Sequence, residues 1–293
     1  MEKVKSVSSR KGRVVAEVEK DGRVRLNKFI ADCGVTSRRK ADFLIDQGIV
    51  VLNGRKVFEH GVRIDPTNDI VEVDGERVQP VAAELYFMFH KPKNVVTTLE
   101  DPEGRPCLKD YLKDFPYRLY PVGRLDWDTE GLLILTNNGH FANSVMHPRN
   151  EITKSYLVKV DGHLEERDIQ KLMSGVSIVG GFVKAKSVVR LRRGADQYGW
   201  YRVVITEGKN RQIHKMFEKI GFDVQKLQRV AIGPLDLGSL ERGKNRPLSK
   251  KELEKIFVPD TGLSQAQSLR STSKFSKRSV GRRRPLTRSE KHI

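Results

Sequence analysis

The chain has 293 residues, 38% of them hydrophobic, and carries 55 Lys or Arg against 37 Asp or Glu, a formal net charge of +18. This length suffices for one large or two ordinary globular domains. No apolar run approaches the roughly 20 residues that span a bilayer, and the N-terminus lacks the apolar block of a secretory signal. We therefore expect a cytoplasmic protein with no membrane partner. The excess positive charge favours a polyanion, above all nucleic acid, as the partner.

Cysteine and ligand patterns exclude several classes of site. The two cysteines, Cys33 and Cys107, are far apart and form no CxxC pair, so neither a disulfide framework nor a cysteine zinc site is indicated. We interpret both as reduced, half-buried thiols. Because GxGxxG, P-loop and metal-ligand patterns are missing from the sequence, we expect no cofactor and no bound metal.

Both ends of the chain differ from its middle. Residues 261–293 hold nine Lys or Arg and one Glu, with few large apolar residues. Such a composition cannot bury enough surface to offset the entropy lost on ordering, so we interpret residues 259–293 as a disordered basic tail. Residues 1–23 are charged and weakly patterned, and we interpret them as a flexible arm.

Residues 24–80 predict a small module that contains two helices and a hairpin. The first helix ends at Gly34, a usual position for a helix stop, and buries three residues, Leu26, Phe29 and Ile30. The second helix begins after Ser37 as its cap and ends at Gly48, with three residues turned inward, Phe43, Leu44 and Ile45. Asn53-Gly54 is a strong signal for a hairpin between two short strands.

Two arginines occupy an unusual place in the second predicted helix. Arg38 and Arg39 stand in its first turn, where the helix dipole favours acidic residues and penalises cations. A phosphate at this position would be bound by both the free N–H groups and the arginines. The alternative is an exposed helix that tolerates two arginines.

The string RLNKFIADCGVTSRRKADFLIDQGIVVLNGRKV, which contains these features, resembles the S4-type RNA-binding module. S4-type modules present such a helix pair to folded RNA. The resemblance implies that the basic residues of this region contact RNA, namely Arg25, Lys28, Arg38, Arg39, Lys40 and Arg55.

Residues 81–258 predict a second, larger domain. Strands joined by hairpins and interrupted by helices indicate an α+β fold with a mixed, mainly antiparallel sheet. The predicted strands are LYFMF, VVTTL, YRLYPV, LLILT, ITKSYLVKV, SIV, FVKAKSVVRL, WYRVVIT and VQKLQRVAIG. The predicted helices are LEERDIQKLMSG, RQIHKMFEKIG and a last helix that begins with a capping box from Ser249 to Glu252.

The string GRLDWDTEGLLILTNNG places three carboxylates, Asp126, Asp128 and Glu130, within five positions. A calcium loop of the EF-hand type is excluded because its twelfth position is Asn137 rather than a bidentate glutamate. A two-metal nuclease is a better rival, but it needs a second acidic cluster that no other segment supplies.

The position of Asp126 within this string favours chemistry rather than metal binding. Gly123 permits a tight chain reversal, after which Leu125 can anchor inward while Asp126 faces a cleft. Arg124 can keep the carboxylate ionised and positioned, as a nucleophile requires. The alternative is a turn that carries a surface salt bridge.

The helix RQIHKMFEKIG separates an apolar stripe from a basic one. The apolar residues follow the i, i+3, i+4, i+7 spacing of a buried face, Ile213, Met216, Phe217 and Ile220. The basic residues share another face near the first free N–H groups, Arg211, His214 and Lys215. This face would suit a phosphate or an aspartate, and the alternative is a solvated basic surface.

Five strings, in order along the chain, resemble the RsuA-like family of ribosomal RNA pseudouridine synthases. They are FHKPKNVVTT, GRLDWDTEGLLILTNNG, MHPRNEITKSYLVKV, EGKNRQIHKM and LQRVAIGPLDLGSL. Together with the S4-type string, the resemblance covers residues 24–258. Within the family, GRLDWDTEGLLILTNNG followed by FANSVMHPR resembles the RluB-type members, which act on the large ribosomal subunit, more than the small-subunit type.

The resemblance implies a role for each matching residue. Asp126 matches the catalytic aspartate, and Tyr156 matches the tyrosine that stacks on the flipped uracil; a tyrosine lying flat in the core is the alternative. The ion-pair partner of Asp126 is either Lys209 or Arg211, and the sequence does not decide between them. His214 stands where the family usually has an arginine, which makes the charge there pH-dependent. We interpret Asp128 and Glu130 as residues that fix the turn or repel misplaced phosphate.

The implied activity is isomerisation of uridine to pseudouridine in ribosomal RNA, without a cofactor, on a flipped-out nucleotide. We expect the 23S RNA of the large subunit as substrate, either free or in an assembly intermediate of the ribosomal subunit, and a monomeric protein. Three alternatives remain open: a 16S RNA substrate in the small subunit, a ribosome-assembly protein that binds RNA without catalysis, and a metal-dependent nuclease.

Overall fold

The computed structural model describes residues 22–191 and 197–259, so the predictions of a flexible arm and a disordered tail fall almost entirely outside the described residues. The chain divides into two compact units. Among the described residues, unit 1 comprises 22–127, 133–147 and 243–247, and unit 2 comprises 128–132, 148–191, 197–242 and 248–259.

The beginning of unit 1 consists of two helices and six short strands. In chain order they are β1 (Val24–Arg25), α1 (Leu26–Asp32), α2 (Arg38–Asp46), β2 (Val50–Leu52), β3 (Arg55–Lys56), β4 (Arg63–Ile64), β5 (Val71–Val73) and β6 (Glu76–Arg77). Strands β3, β2, β5 and β6 form one antiparallel sheet in that order, and β1 pairs with β4.

The helix cap and the hairpin turn predicted for this region are present in the structure, but one predicted core residue is not buried. Ser37 caps α2 by accepting a hydrogen bond from the Lys40 amide, and Asn53 and Gly54 adopt positive φ in the hairpin. The prediction for Phe43 is wrong, because its side chain is 57% exposed. The buried residues of α2 are Ala41 and Ile45. They lie one turn apart on one face, and position 43 falls on the other side of the helix.

The core of this region is formed by side chains from both helices and three of the strands. Its buried members are Leu26, Phe29, Ile30, Ala41, Ile45, Val50, Ile64, Val71 and Val73. The identification as an S4-type module and the boundary at residue 80 stay predictions.

Residues 81–259 contain, in their described part, eleven further strands, four α-helices and two short 3-10 helices, Leu108–Tyr111 and Pro148–Asn150. In chain order the strands and α-helices are β7 (Tyr86–Lys91), β8 (Tyr120–Pro121), β9 (Thr129–Thr136), α3 (Gly139–Met146), β10 (Lys154–Asp161), α4 (Glu166–Ser174), β11 (Val176–Ile178), β12 (Gly181–Val183), β13 (Ser187–Leu191), β14 (Tyr198–Ile205), α5 (Gln212–Lys219), β15 (Val224–Ile232), β16 (Leu235–Asp236), β17 (Asn245–Pro247) and α6 (Lys250–Ile256).

Most strands of unit 2 form a mixed sheet, as the sequence predicts, while β11 and β12 form a separate antiparallel hairpin. The order of the mixed sheet is β13-β14-β10-β15-β9, and every neighbouring pair is antiparallel except β15 with β9, which is parallel. The parallel pair requires a glycine at Gly131, because a Cβ there would lie 2.1 Å from the Arg229 carbonyl oxygen. In unit 1, β17 pairs with β7 and β8 pairs with β9.

Two sequence predictions in residues 81–150 need correction. VVTTL forms no strand, since only an isolated bridge joins Val96 to Cys107. Helix α3 was not predicted, although Asn138 caps it by accepting a hydrogen bond from the Phe141 amide. Short segments of this kind take their conformation from the neighbours that satisfy their backbone groups, and sequence periodicity does not record those neighbours.

Both cysteines are free thiols, as expected, but they differ in burial. Cys33 is half-buried, whereas Cys107 is 6% exposed and therefore belongs to the core. Burial, together with the charge of Asp32, raises the pKa of the Cys33 thiol to about 12.

Candidate active site

Two buried side chains anchor the loop just before Asp126. Gly123 has φ +74°, which permits the chain reversal expected after β8. Val122 and Leu125 are 3% and 5% exposed, so Leu125 is the inward anchor that the sequence predicts. Asp126 itself is partly exposed and Arg124 is exposed.

Three successive carbonyl groups of this loop accept hydrogen bonds from one segment, residues 91–97. Thr97 Oγ1 donates to the Leu125 carbonyl oxygen, and the Asn94 amide donates to that of Trp127 at 2.8 Å. Between them, the Lys91 ammonium donates to the carbonyl of Asp126 at 3.1 Å. The backbone at Asp126 is therefore held rigidly from its own unit.

Lys91 is the residue of this arrangement that the sequence reasoning missed. Its side chain is completely buried and also donates to the Pro92 carbonyl at 3.0 Å. A buried ammonium group is costly unless its protons are bound by acceptors. A lysine that closely follows an apolar strand such as LYFMF therefore indicates, from sequence alone, a buried side chain with acceptors around it. Pro92 has no backbone N–H, so it cannot donate a backbone hydrogen bond to the loop that carries Asp126.

In unit 2, the second carboxylate of the acidic string is bound by the basic motif. Arg211 donates to Asp128 at 3.2 and 3.0 Å, and His214 Nε2 lies 3.3 Å from the same carboxylate. Burial raises the pKa of Asp128, but the Arg211 hydrogen bonds and the charges of His214 and Arg211 outweigh it, so the pKa is lowered. Asp128 is thus kept ionised.

The basic face of α5 therefore binds an aspartate, one of the two ligands expected for it. The expected aspartate was Asp126, and the one bound to Arg211 in the structure is Asp128. The pairing of Lys209 or Arg211 with Asp126 stays a prediction. Arg211 itself adopts φ +49°, a left-handed conformation that costs a non-glycine residue about 1 kcal/mol or more.

The third carboxylate, Glu130, is a buried structural acid. It is 3% exposed on β9 and lies 2.8 Å from Arg242 Nε and 3.2 Å from Lys226 Nζ. Burial raises the pKa of Glu130, but these two cations outweigh that effect and the pKa is lowered. Glu130 thus ties β9 to two later segments of unit 2, in agreement with a role in fixing the turn.

Tyr156 lies on β10 and is 7% exposed. Its neighbours across the sheet are Val203 on β14 and Arg229 on β15. Arg229 donates through Nε to the Leu132 carbonyl at 2.7 Å, which fixes the guanidinium beside β9. The role of Tyr156 in stacking on uracil stays a prediction.

The two lysines of the basic motif, Lys209 and Lys215, each contact other groups of unit 2. Lys209 Nζ donates to the Phe182 carbonyl at 3.1 Å and lies 3.9 Å from Glu207. Lys215 Nζ donates to the Asn210 side chain at 3.1 Å. Ile213, Met216 and Phe217 are buried as predicted, whereas Ile220 follows the end of the helix and is only half-buried.

The predicted RNA-contacting residues of the N-terminal region are mostly on the surface. Lys28 is partly exposed and forms a salt bridge with Asp32 at 2.8 Å. Lys40 lies 3.6 Å from Glu100. The exposed members of the set are Arg25, Arg38, Arg39, Lys40 and Arg55.

Two features are absent from the described residues, a cluster of metal-binding side chains and a membrane-spanning helix. Within residues 22–191 and 197–259, no group of three or more His, Cys, Asp or Glu side chains is arranged to hold a metal ion. In the same residues, no helix combines the length and apolar character needed to cross a bilayer.

Comparison with known proteins places this site in a family. Residues 85–219 match the family model described as RNA pseudouridylate synthase. The ribosomal large subunit pseudouridine synthase B of Bacillus subtilis (strain 168) is 42% identical, over 79% of this chain and 95% of that protein. An uncharacterized RNA pseudouridine synthase of Aquifex aeolicus (strain VF5) is 40% identical, over 80% of this chain and 94% of that protein.

More distant relatives agree with this assignment. The dual-specificity RNA pseudouridine synthase RluF of Escherichia coli (strain K12) is 35% identical, over 92% of this chain and 90% of that protein. A crystal structure of a pseudouridylate synthase matches with a TM-score of 0.57 and 32% identity, covering 80% of this chain and 99% of that one. The segments that hold Asp126, Asp128 and Tyr156 all lie inside the matched ranges, and the chain belongs to the RsuA-like family of ribosomal RNA pseudouridine synthases.

Proposed function

We propose that this protein converts one uridine of the large-subunit ribosomal RNA to pseudouridine. Support for the large subunit comes from the 42% identity to a relative named as a ribosomal large subunit pseudouridine synthase. The observation that carries the proposal is the rigid loop at Asp126, whose three successive carbonyls are bound by residues 91–97. Such preorganisation is what a carboxylate needs when it must meet one atom of a substrate.

The reaction rearranges bonds within one nucleotide. The C1′–N1 glycosidic bond breaks, the base turns, and a C1′–C5 bond forms, while N1 gains a proton and C5 loses one. We assign to Asp126 the attack on the nucleoside or the start of glycosidic cleavage. Tyr156 would stack on the uracil and sit where the C5 proton leaves, with Lys209 or Arg211 holding Asp126 ionised.

Access to the base requires that the uridine leave its RNA helix. Flipping costs roughly a few kcal/mol of lost stacking and pairing, and phosphate contacts elsewhere on the RNA must offset this cost. The exposed arginines Arg38 and Arg39 at the start of α2 are suited to this role in an S4-type module. The protein would act as a cytoplasmic monomer on free RNA or on an assembling ribosomal subunit.

The decisive experiment maps pseudouridines in ribosomal RNA from cells with and without the gene, and then tests purified protein on the identified region. We expect one pseudouridine to disappear from the large-subunit RNA, and Asp126→Asn to form no product while it still binds the RNA. The matched control is Asp114→Asn, which removes an exposed carboxylate of the same unit.

Each other outcome points to a different function. Loss of a pseudouridine from the 16S RNA would assign the small subunit as substrate. An unchanged pseudouridine map would favour a ribosome-assembly protein without catalysis. Turnover by Asp126→Asn would remove Asp126 from the chemistry altogether.

A further inference from the structure

The hairpin formed by β11 and β12 exposes two large apolar side chains, Val179 in its turn and Phe182 on β12. Val179 is 84% exposed and Phe182 is 60% exposed. Single exposed apolar residues are ordinary on a protein surface. The surroundings of Phe182 distinguish it from such residues in two respects, the support under its ring and the charges around it.

The Phe182 ring packs against a position that only glycine can occupy. Gly175 ends α4 with φ +114°, and a Cβ on it would lie 2.2 Å from Cζ of the Phe182 ring. The ring is therefore held against the backbone on one side while most of its surface stays exposed. An aromatic ring fixed in this way loses little conformational entropy when a flat ligand stacks on it.

Three lysines lie in or next to this hairpin. Lys184 and Lys186, which follow β12, are exposed, whereas Val183 and Ala185 are buried. Lys209 Nζ donates to the Phe182 carbonyl at 3.1 Å and so adds a third positive charge. An aromatic ring among cations is suited to an unpaired nucleotide, because the base can stack while its phosphate is bound.

The position of the hairpin within unit 2 agrees with an RNA ligand. Helix α5 contacts β11. Arg211, which precedes α5, binds Asp128 at 3.0 Å. The hairpin therefore adjoins the basic motif 207–216, which the family resemblance assigns to the RNA-modifying site.

We propose that Phe182, Lys184, Lys186 and Lys209 form a nucleotide platform, on which an unpaired nucleotide of the substrate RNA stacks while the lysines bind its phosphate. This inference rests on the proposed function, since it takes the substrate to be RNA. A docked protein is the alternative occupant. It is disfavoured because the hairpin region combines three lysines with one exposed aromatic ring and a single exposed aliphatic side chain.

The experiment compares three substitutions of Phe182 in the full-length protein by filter binding to the large-subunit RNA fragment that contains the mapped uridine. Stacking on an aromatic side chain contributes about 1–3 kcal/mol per base, so Phe182→Ala is expected to raise Kd roughly 5- to 150-fold. Phe182→Tyr keeps the ring and should bind within about twofold of the wild type. Phe182→Leu keeps the apolar area but not the ring, and should resemble Phe182→Ala.

The control is Val258→Ser, which removes an exposed apolar side chain of the same unit and should leave Kd unchanged. Normal binding by Phe182→Leu or by Phe182→Ala would overturn the platform. Crosslinking through a photoreactive phenylalanine analogue at 182 gives a second measure. A crosslink to an unpaired nucleotide supports the proposal, and one to a ribosomal protein contradicts it.

Failure of the platform and failure of the proposed function give different results. If the proposed function is wrong, Asp126→Asn retains turnover or no pseudouridine depends on the gene. If only the platform is wrong, Asp126 stays essential while all three Phe182 variants bind and turn over like the wild type. If both hold, Phe182→Ala raises KM for the RNA and leaves kcat at saturating RNA nearly unchanged.

Discussion

Arg211 donates two hydrogen bonds to the Asp128 carboxylate, one from Nη1 at 3.2 Å and one from Nη2 at 3.0 Å. This bidentate contact joins the basic motif to a point two residues beyond Asp126 in the chain. It also offsets part of the strain in the left-handed backbone of Arg211, because charge-assisted hydrogen bonds are stronger than neutral ones.

The first prediction concerns the coupling between these two residues. Both side chains are about 40% exposed, so the pair should contribute no more than the roughly 0.2–1 kcal/mol of a surface ion pair. We expect Asp128→Asn and Arg211→Gln to be non-additive by about that amount in the free energy of unfolding, measured with urea. As a control, the effects of Asp128→Asn and Lys219→Gln on the free energy of unfolding should be additive. If the two double mutants show the same non-additivity, Arg211 and Asp128 do not form a specific pair.

The second prediction tests whether Lys91 positions Asp126. Lys91→Met keeps the shape of the side chain but leaves the Asp126 and Pro92 carbonyls without their donor. We expect a fall in the single-turnover rate with unchanged RNA affinity, and a stability loss of about 1–3 kcal/mol for unsatisfied buried groups. Lys109→Met, at an exposed site in the same unit, should change neither quantity. Loss of stability with a normal rate would make Lys91 purely structural.

The third prediction is a pH dependence of stability from Glu130. Its pKa is lowered from the ordinary 4.5, so it stabilises the folded state fully above that pH and the contribution is lost as the pH falls through the folded-state pKa. Glu130→Gln should therefore be less stable than the wild type at pH 7, by about 1–3 kcal/mol. The difference should shrink below about pH 4. A difference constant from pH 7 to pH 3 would show that the carboxylate charge is not responsible.

The fourth prediction concerns the close approach of β9 and β15. A Cβ at Gly131 would lie 2.1 Å from a backbone oxygen, which cannot move aside as a flexible side chain could. We expect Gly131→Ala to destabilise the protein by more than about 3 kcal/mol or to prevent folding. Gly75→Ala is the matched control, since Gly75 also has positive φ but open space around it. A similar melting temperature for both variants would refute the steric argument.

The fifth prediction concerns the arginines at the start of α2. Replacing Arg38 and Arg39 with Gln should weaken RNA binding and reduce the slope of log K against log salt by about 2, roughly one for each lost phosphate contact. Lys250 and Lys251 occupy the same place in α6 and are also exposed, so replacing both with Gln provides the comparison. An unchanged slope for the arginine variant would mean that α2 does not contact RNA.

Local chemistry is the part of the fold that the sequence predicted well. Ser37 and Ser249 cap their helices, because a side-chain oxygen at that position satisfies a free N–H group whatever surrounds the helix. Asn53-Gly54 forms the hairpin turn because both residues tolerate positive φ. These signals depend on a few neighbouring residues, so they can be read from sequence alone.

Contacts between distant segments account for what the sequence did not reveal. The burial of Lys91 depends on carbonyls supplied by Pro92 and Asp126, and the partner of Arg211 is a residue 83 positions away in the chain. The helix pattern predicted that the basic residues 211, 214 and 215 would suit a phosphate or an aspartate, but it could not identify Asp128 as that aspartate. Phe43 shows the same limit. Its hydrophobicity predicted burial, but it lies on the face of α2 that is turned away from the core.

The burial of the two native cysteines makes the folded chain well suited to site-directed labelling. Maleimides and iodoacetamides react with the thiolate, and a pKa of about 12 keeps Cys33 protonated near neutrality, while Cys107 is shielded in the core. A Val179→Cys substitution at the hairpin tip would then carry a fluorophore without any need to replace the natural cysteines. Emission from that dye would follow the arrival and departure of ligands at the hairpin in real time.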